Sequence, residues 1–117
     1  MRPEDRDLAY LWDMLQAARD VQEMNAGVSE EAFLNDKVLL RATERSLEIL
    51  GEAAKRVSPE LMGSCPAIPW RRIIGQRNIL AHEYGHIDYH LLAQTVRRDV
   101  PALIEQLTAL LPPDDVE

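Results

Sequence analysis

The sequence contains a single cysteine, Cys65, in 117 residues, so no disulfide can form within the chain and a cysteine-based zinc site would lack its second thiolate. Cys65 is expected to be a reduced, incidental thiol. The chain also lacks the ~20 consecutive apolar residues that a membrane helix requires, and its opening MRPEDRDLAY has no apolar core of the kind a signal peptide carries. A cytoplasmic protein with no membrane partner is therefore expected. There is no glycine-rich phosphate loop, no strand-like alternation, no internal repeat and no low-complexity tract. Positive charge is scarce overall: 13 Lys and Arg face 20 Asp and Glu, a net of −7, which argues against a general binder of polyanions.

What is present describes one folded domain. At 46% apolar and 28% charged, the composition is that of an ordinary globular protein, and the length suits a single hydrophobic core. From Pro3 to about Asn25, the residues Leu8, Leu11, Trp12, Leu15, Ala18 and Val21 recur at helical spacing, with Glu4 and Asp5 at the favourable end of the dipole and Gly27 as a stop. Ser29, Glu30 and Glu31 open a second element, in which Leu39, Ala42, Ile49, Ala53 and Val57 keep the period until Ser58 and Pro59 end it. Its other face, Arg41, Glu44, Arg45, Glu48, Glu52 and Lys55, reads as solvated, and Gly51 as a point of close helix packing. Residues 59 to 69, with three prolines and Gly63, read as a loop with one helical turn at Glu60 to Met62.

A third helix is expected from near Pro69 to Gly85, and Asp88 can cap a fourth with the stripe Leu92, Val96, Leu103, Leu107 and Leu110, kinked or divided by Pro101. The expected fold is all-α, an antiparallel bundle of four to five helices over residues 1–111, with residues 112–117 a frayed tail.

Charge is unevenly spread. Between Arg71 and Arg98 five arginines face Glu83 and Asp88, a local net of +3, and all three histidines, His82, His86 and His90, lie in the same stretch. Within it runs PWRRIIGQRNILAHEYGHID. On a helix Asn78 and His82 share a face and Arg77 and Tyr84 a neighbouring one, which leaves Ile73, Ile74, Ile79, Leu80 and Ala81 to the buried side. An arginine fork suits phosphate, a histidine exchanges a proton near neutral pH, and an amide and a hydroxyl orient a substrate. On these residues alone two other readings stay open: a solvated surface helix, or a subunit interface lined by His82 and Tyr84. The four-residue spacing of His82, His86 and His90 suggests metal ligands, but Gly85 and Asp88 should break the helix between them. No carboxylate or thiolate completes a set, so no metal site is expected and His86 and His90 read as surface residues.

The run RNILAHEY, preceded by IPWRRIIGQ and followed by GHID, resembles the signature of the HEPN superfamily, in particular its HepT-like toxins, as do SLEILGEAAKRVS and the pair Pro69 and Trp70. The resemblance spans nearly the whole chain. It implies a HEPN-type bundle forming a homodimer, the toxin of a type VII-like toxin–antitoxin module, acting as a metal-independent, cofactor-free endoribonuclease on RNA. The two motif helices would meet across the dimer axis, with Arg77 and His82 catalytic and Asn78 and Tyr84 supporting or orienting substrate. One His82 would serve as base and its mate as acid during attack by the RNA 2′-hydroxyl. The resemblance also implies a small nucleotidyltransferase antitoxin that AMPylates Tyr84, with a larger hetero-oligomer left open. Two other classes remain: a non-catalytic HEPN partner of a nucleotidyltransferase, and a plain helical interaction protein.

Overall fold

The computed structural model describes residues 3–82 and 87–112, with side chains for 5–76 and 87–112. Seven α-helical segments and one π-helical turn make up the described chain, and no strand occurs among these residues. The segments are α1 (Pro3–Met24), α2 (Glu30–Leu34), α3 (Lys37–Arg56), α4 (Pro59–Ser64), α5 (Trp70–His82), α6 (Tyr89–Gln94) and α7 (Val100–Leu110). The π turn, Thr95–Asp99, joins α6 to α7 without a break, so the last three segments form one rod. Four long rods carry the core as expected, and α2 and α4 are short additions.

The stripe of α1 is buried largely as its spacing predicts: Leu11, Leu15, Ala18 and Val21 are nearly inaccessible, as is Met14, while Trp12 is half-buried against the core and Leu8, at the edge of the stripe, is exposed. The helix ends at Met24, and Gly27 takes the turn that follows in the left-handed region at φ 75°, a conformation that costs glycine no Cβ clash. Hydrogen bonds fix the pairing of α1 with α3. At one end the Asn25 amide donates to the Thr43 hydroxyl at 3.2 Å. At the other, Asp7 accepts from the backbone and hydroxyl of Ser58 at 2.9 and 2.6 Å. Joining the end of α1 to the first half of α3, and the start of α1 to the second residue after α3, makes the pair antiparallel. Thr43 is fully buried, but its hydroxyl is satisfied by Asn25 and by the Met24 sulfur.

Two expectations along this stretch need correction. The single helix expected from Ser29 to Val57 is two helices, parted at Asn35 and Asp36. The Asn35 amide turns back onto the Glu31 carbonyl and the Asp36 carboxylate caps the Leu39 N–H, so each side chain competes with the helical ladder at the point of the break. The one helical turn expected at Glu60 to Met62 is present but longer, a helix of six residues capped by the Ser58 hydroxyl on the Leu61 N–H and begun by Pro59. Further on, Gly51 is buried as its suggested packing role requires. Ile49, placed on the apolar stripe, is exposed.

The cap at Asp88 is as expected, its carboxylate accepting from the N–H groups of His90 and Leu91. Pro101 acts upstream of itself. A proline ring in an α-helix collides with the carbonyl four residues before it, here that of Arg97, and the chain widens into the π turn just ahead, with the Val100 N–H reaching back to Thr95. Leu92, Val96, Leu103 and Leu107 stay buried on both sides of the turn, so the rod keeps its apolar face. No described helix is long and apolar enough to cross a membrane. The frayed tail expected at 112–117 falls outside the described residues except for Pro112.

Candidate active site

The helix that carries the polar motif is anchored at its start by an aromatic residue. Trp70 is buried, and its indole N–H donates to the Cys65 carbonyl at 3.0 Å, so the loop and the first turn of α5 are tied together. One turn on, Ile73 is also buried, and Ile74 packs against the core from a half-buried position. Two polar contacts then set α5 against the rod. Arg72 pairs with Asp99 at 3.1 Å, and the Gln76 amide donates to the Thr95 hydroxyl at 3.0 Å, which itself donates to the Leu91 carbonyl. Four residues later on α5 meets four residues earlier on the rod, so the two run antiparallel. The Gln106 amide on the Ala67 carbonyl extends the same pairing outward.

The crevice between α3, α5 and the rod, lined in part by Leu47, Ile73, Gln76 and Thr95, holds only about 20 Å³. That is space for a single water at most, so this face of α5 is closed to a substrate. The Gln76 to Thr95 bond stands immediately before Arg77, and Thr95 opens the π turn; such turns are frequent at functional sites.

Three of the four motif residues expected at the site lie on α5. Arg77, Asn78 and His82 span about 7.5 Å along its axis. Position 77 falls one turn beyond Ile73 and two beyond Trp70. Positions 78 and 82 share a stripe. Tyr84 and His86 lie outside the described residues. His82 ends α5 whereas His90 belongs to α6, so the histidine ladder is not carried on one helix. His90 is exposed and stands 3.6 Å from the Glu30 carboxylate, a surface pairing of little energetic weight. Among the described residues no group of three His, Cys, Asp or Glu is placed to hold a metal ion.

One polar group departs from its expected setting. Glu44, on the face of α3 that reads as solvated, is half-buried; one of its carboxylate oxygens is enclosed and has no hydrogen-bond partner among the described residues. Tyr89, the first residue of α6, bonds to this carboxylate, and that bond, with burial and the repulsion of the negative charge on Glu44, raises the phenol above its ordinary value of about 10, while Arg41 pulls it down. A raised pKa means that the fold favours the neutral phenol. Its contribution to stability is whole below about pH 10 and is lost as the pH climbs through the raised value. Tyr89→Phe is expected to cost about 1 kcal/mol at pH 7. The gap between variant and parent should narrow as the pH climbs from about 10 through the raised value; denaturant titrations at pH 7 and at successively higher pH check this, and a constant gap would refute the bond's role. Sequence reasoning missed Glu44, Tyr89, Gln76 and Thr95 because their partners are remote in the chain.

The chain matches the family described as Ribonuclease HepT-like over residues 14–110. It is similar to a protein of Methanocaldococcus jannaschii that carries the name of an RNase, at 38% identity over 99 residues, covering 85% of this chain and 91% of that one. A protein of Caldanaerobacter subterraneus subsp. tengcongensis, also named as an RNase, is 38% identical over 102 residues, with 87% and 91% covered. One of Thermococcus cleftensis, named as a ribonuclease HepT, is 37% identical over 94 residues, with 80% and 86% covered. No solved structure matches the chain.

Proposed function

Since the chain belongs to the HepT-like ribonuclease family, we propose that it is the toxin of a two-gene, type VII-like module: a cytoplasmic, metal-independent endoribonuclease whose active site is assembled from two copies of one domain, residues 1–111. The observation that carries this reading is the placement of Arg77, Asn78 and His82 within one and a half turns of a helix held by Trp70, Ile73 and Gln76.

RNA can be cleaved by its own 2′-hydroxyl if a base removes that proton, an acid protonates the departing 5′-oxygen, and positive charge steadies the phosphoryl group between them. One motif supplies one histidine. A two-fold axis supplies two, so one His82 takes the proton while its mate gives one, both Arg77 guanidinium groups hold the phosphoryl charge, and Asn78 orients the substrate or His82. The two protomers are equivalent until RNA binds. A catalytic pair of histidines leaves no step that requires a metal.

Tyr84 is the site at which a small nucleotidyltransferase antitoxin would attach adenylate. An added nucleotide brings bulk and negative charge to a cleft shaped for RNA phosphate, and both effects keep substrate out. The partners are then RNA, a second copy of the chain, and the antitoxin.

The direct test is RNA incubated with purified protein in the presence of EDTA. Discrete fragments ending in 2′,3′-cyclic phosphate are expected, as is growth arrest when the protein is induced without its antitoxin and none when the two are induced together. Intact RNA from unmodified, dimeric protein would refute the nuclease and leave a partner module of the nucleotidyltransferase.

A further inference from the structure

Glu44 is a charged group taken partly out of water: one of its carboxylate oxygens is enclosed, and no donor among the described residues reaches it. Such an oxygen is costly to bury alone, so a fold keeps one where a cation or another donor comes to meet it. The register of the helices says which side chain does so. Glu44 meets Tyr89 at the start of the rod, and farther along both elements Leu47 and Leu50 share a crevice with Thr95, Val100 and Leu103, so α3 and the rod run parallel. α5 is antiparallel to the rod and therefore to α3, and its Ile73 and Gln76 line the same crevice. In an antiparallel pair a turn back along one helix is met by a turn forward along the other. From Leu47 a turn back is Glu44; from Ile73 a turn forward is position 77. Position 77 is also turned about 40° from Ile73 toward position 78, so it stands between the closed face of α5 and the stripe of Asn78 and His82.

We propose that Glu44 is a positioning residue for Arg77: its carboxylate accepts from one edge of the guanidinium and so holds the other edge toward the scissile phosphate. The role at the phosphate rests on the ribonuclease reading above, whereas the pair itself does not. A guanidinium carries five donors in a flat fork, enough to engage a carboxylate and a phosphate together. A carboxylate bonded along one edge fixes a plane that a long side chain would otherwise leave loose. Tyr89, bonded to the same carboxylate, keeps Glu44 from turning out to solvent. Arg41, one turn earlier on α3, is the weaker partner, since it is exposed and does not reach the enclosed oxygen. Glu44 offsets part of the charge on Arg77, so its benefit lies in orientation rather than attraction and belongs to kcat, not to KM.

The test is a double-substitution cycle read by melting temperature, with RNA cleavage measured alongside. Arg77→Gln strands the carboxylate and is expected to melt about 5 to 10 °C below the parent; adding Glu44→Gln removes the stranded charge and should recover at least half of that loss. If Arg77→Gln does not fold, the double variant is still expected to. Glu44→Gln alone keeps the shape of the side chain and an acceptor for Tyr89. It should melt within a few degrees of the parent and lower kcat about 10- to 100-fold, with KM changed by no more than about twofold. Arg41→Gln, which takes an equal charge from the same neighbourhood, should leave kcat unchanged. Losses of melting temperature that simply add in the double variant would overturn the pair. Cleavage by Glu44→Gln at the parent rate would overturn the positioning role, and so would an equal loss of kcat in Arg41→Gln, which would give the carboxylate to Arg41. A wild-type protein that leaves RNA intact would remove the ribonuclease reading and with it the role at the phosphate, while the melting cycle would still decide the pair.

Discussion

His82→Ala is expected to lower RNA cleavage by about 10⁴-fold or more, because in the proposed shared site a single substitution removes base and acid together and each is commonly worth 10² to 10⁴. The same variant should fold and dimerise normally and should no longer arrest growth. The more telling measurement uses mixed dimers, isolated with two different affinity tags, in which one protomer is His82→Ala and the other is wild type. If the site is built across the axis, every mixed dimer lacks either its base or its acid, and its activity should fall at least 100-fold. Retention of half the wild-type rate would mean that each protomer holds a complete site, and the shared one would have to be abandoned.

The second large effect concerns the seat of the motif helix. Trp70→Ala removes a buried aromatic body and the indole donor on the Cys65 carbonyl. Substitutions of this kind cost about 3 to 5 kcal/mol, a large part of the stability of a domain this size. The melting temperature should fall by roughly 10 to 20 °C. Trp70→Phe keeps most of the apolar contact and loses the hydrogen bond, so a cost of about 1 to 2 kcal/mol is expected. Calorimetry on the two variants separates the terms; an alanine variant melting within a few degrees of the parent would show that α5 is held chiefly by its contacts with the rod.

Much of this architecture could be read from local chemistry. The buried stripe of α1, the stop at Gly27, the caps at Ser58 and Asp88 and the disturbance caused by Pro101 all follow from residues near in sequence, where helical period and side-chain hydrogen bonding decide the outcome. The break at Asn35 and Asp36 is local too, but the residues around it keep a helical period, so the pattern hides a cut that two short side chains make. The placement of Arg77, Asn78 and His82 on one helix was legible from spacing. What holds that helix in register was not. Gln76 and Thr95 are 19 residues apart and bond only once the rod has folded back, and Glu44 meets Tyr89 from 45 positions away. Contacts of that kind leave no periodic mark in a sequence.

The π turn at Thr95–Asp99 amounts to one residue spliced into an otherwise regular rod, and it sets the phase between the rod's two halves. At its first residue, Thr95, the turn is locked to α5; beyond it, Leu103 and Leu107 are committed to the core. Deleting one residue inside the turn would restore an unbroken α-ladder but rotate everything after it by about 100°. Either α5 would then lose its register or two leucines would leave the core. The position of the motif helix and the burial of the C-terminal helix are thus set by the same inserted residue, and a change in one cannot be made without the other.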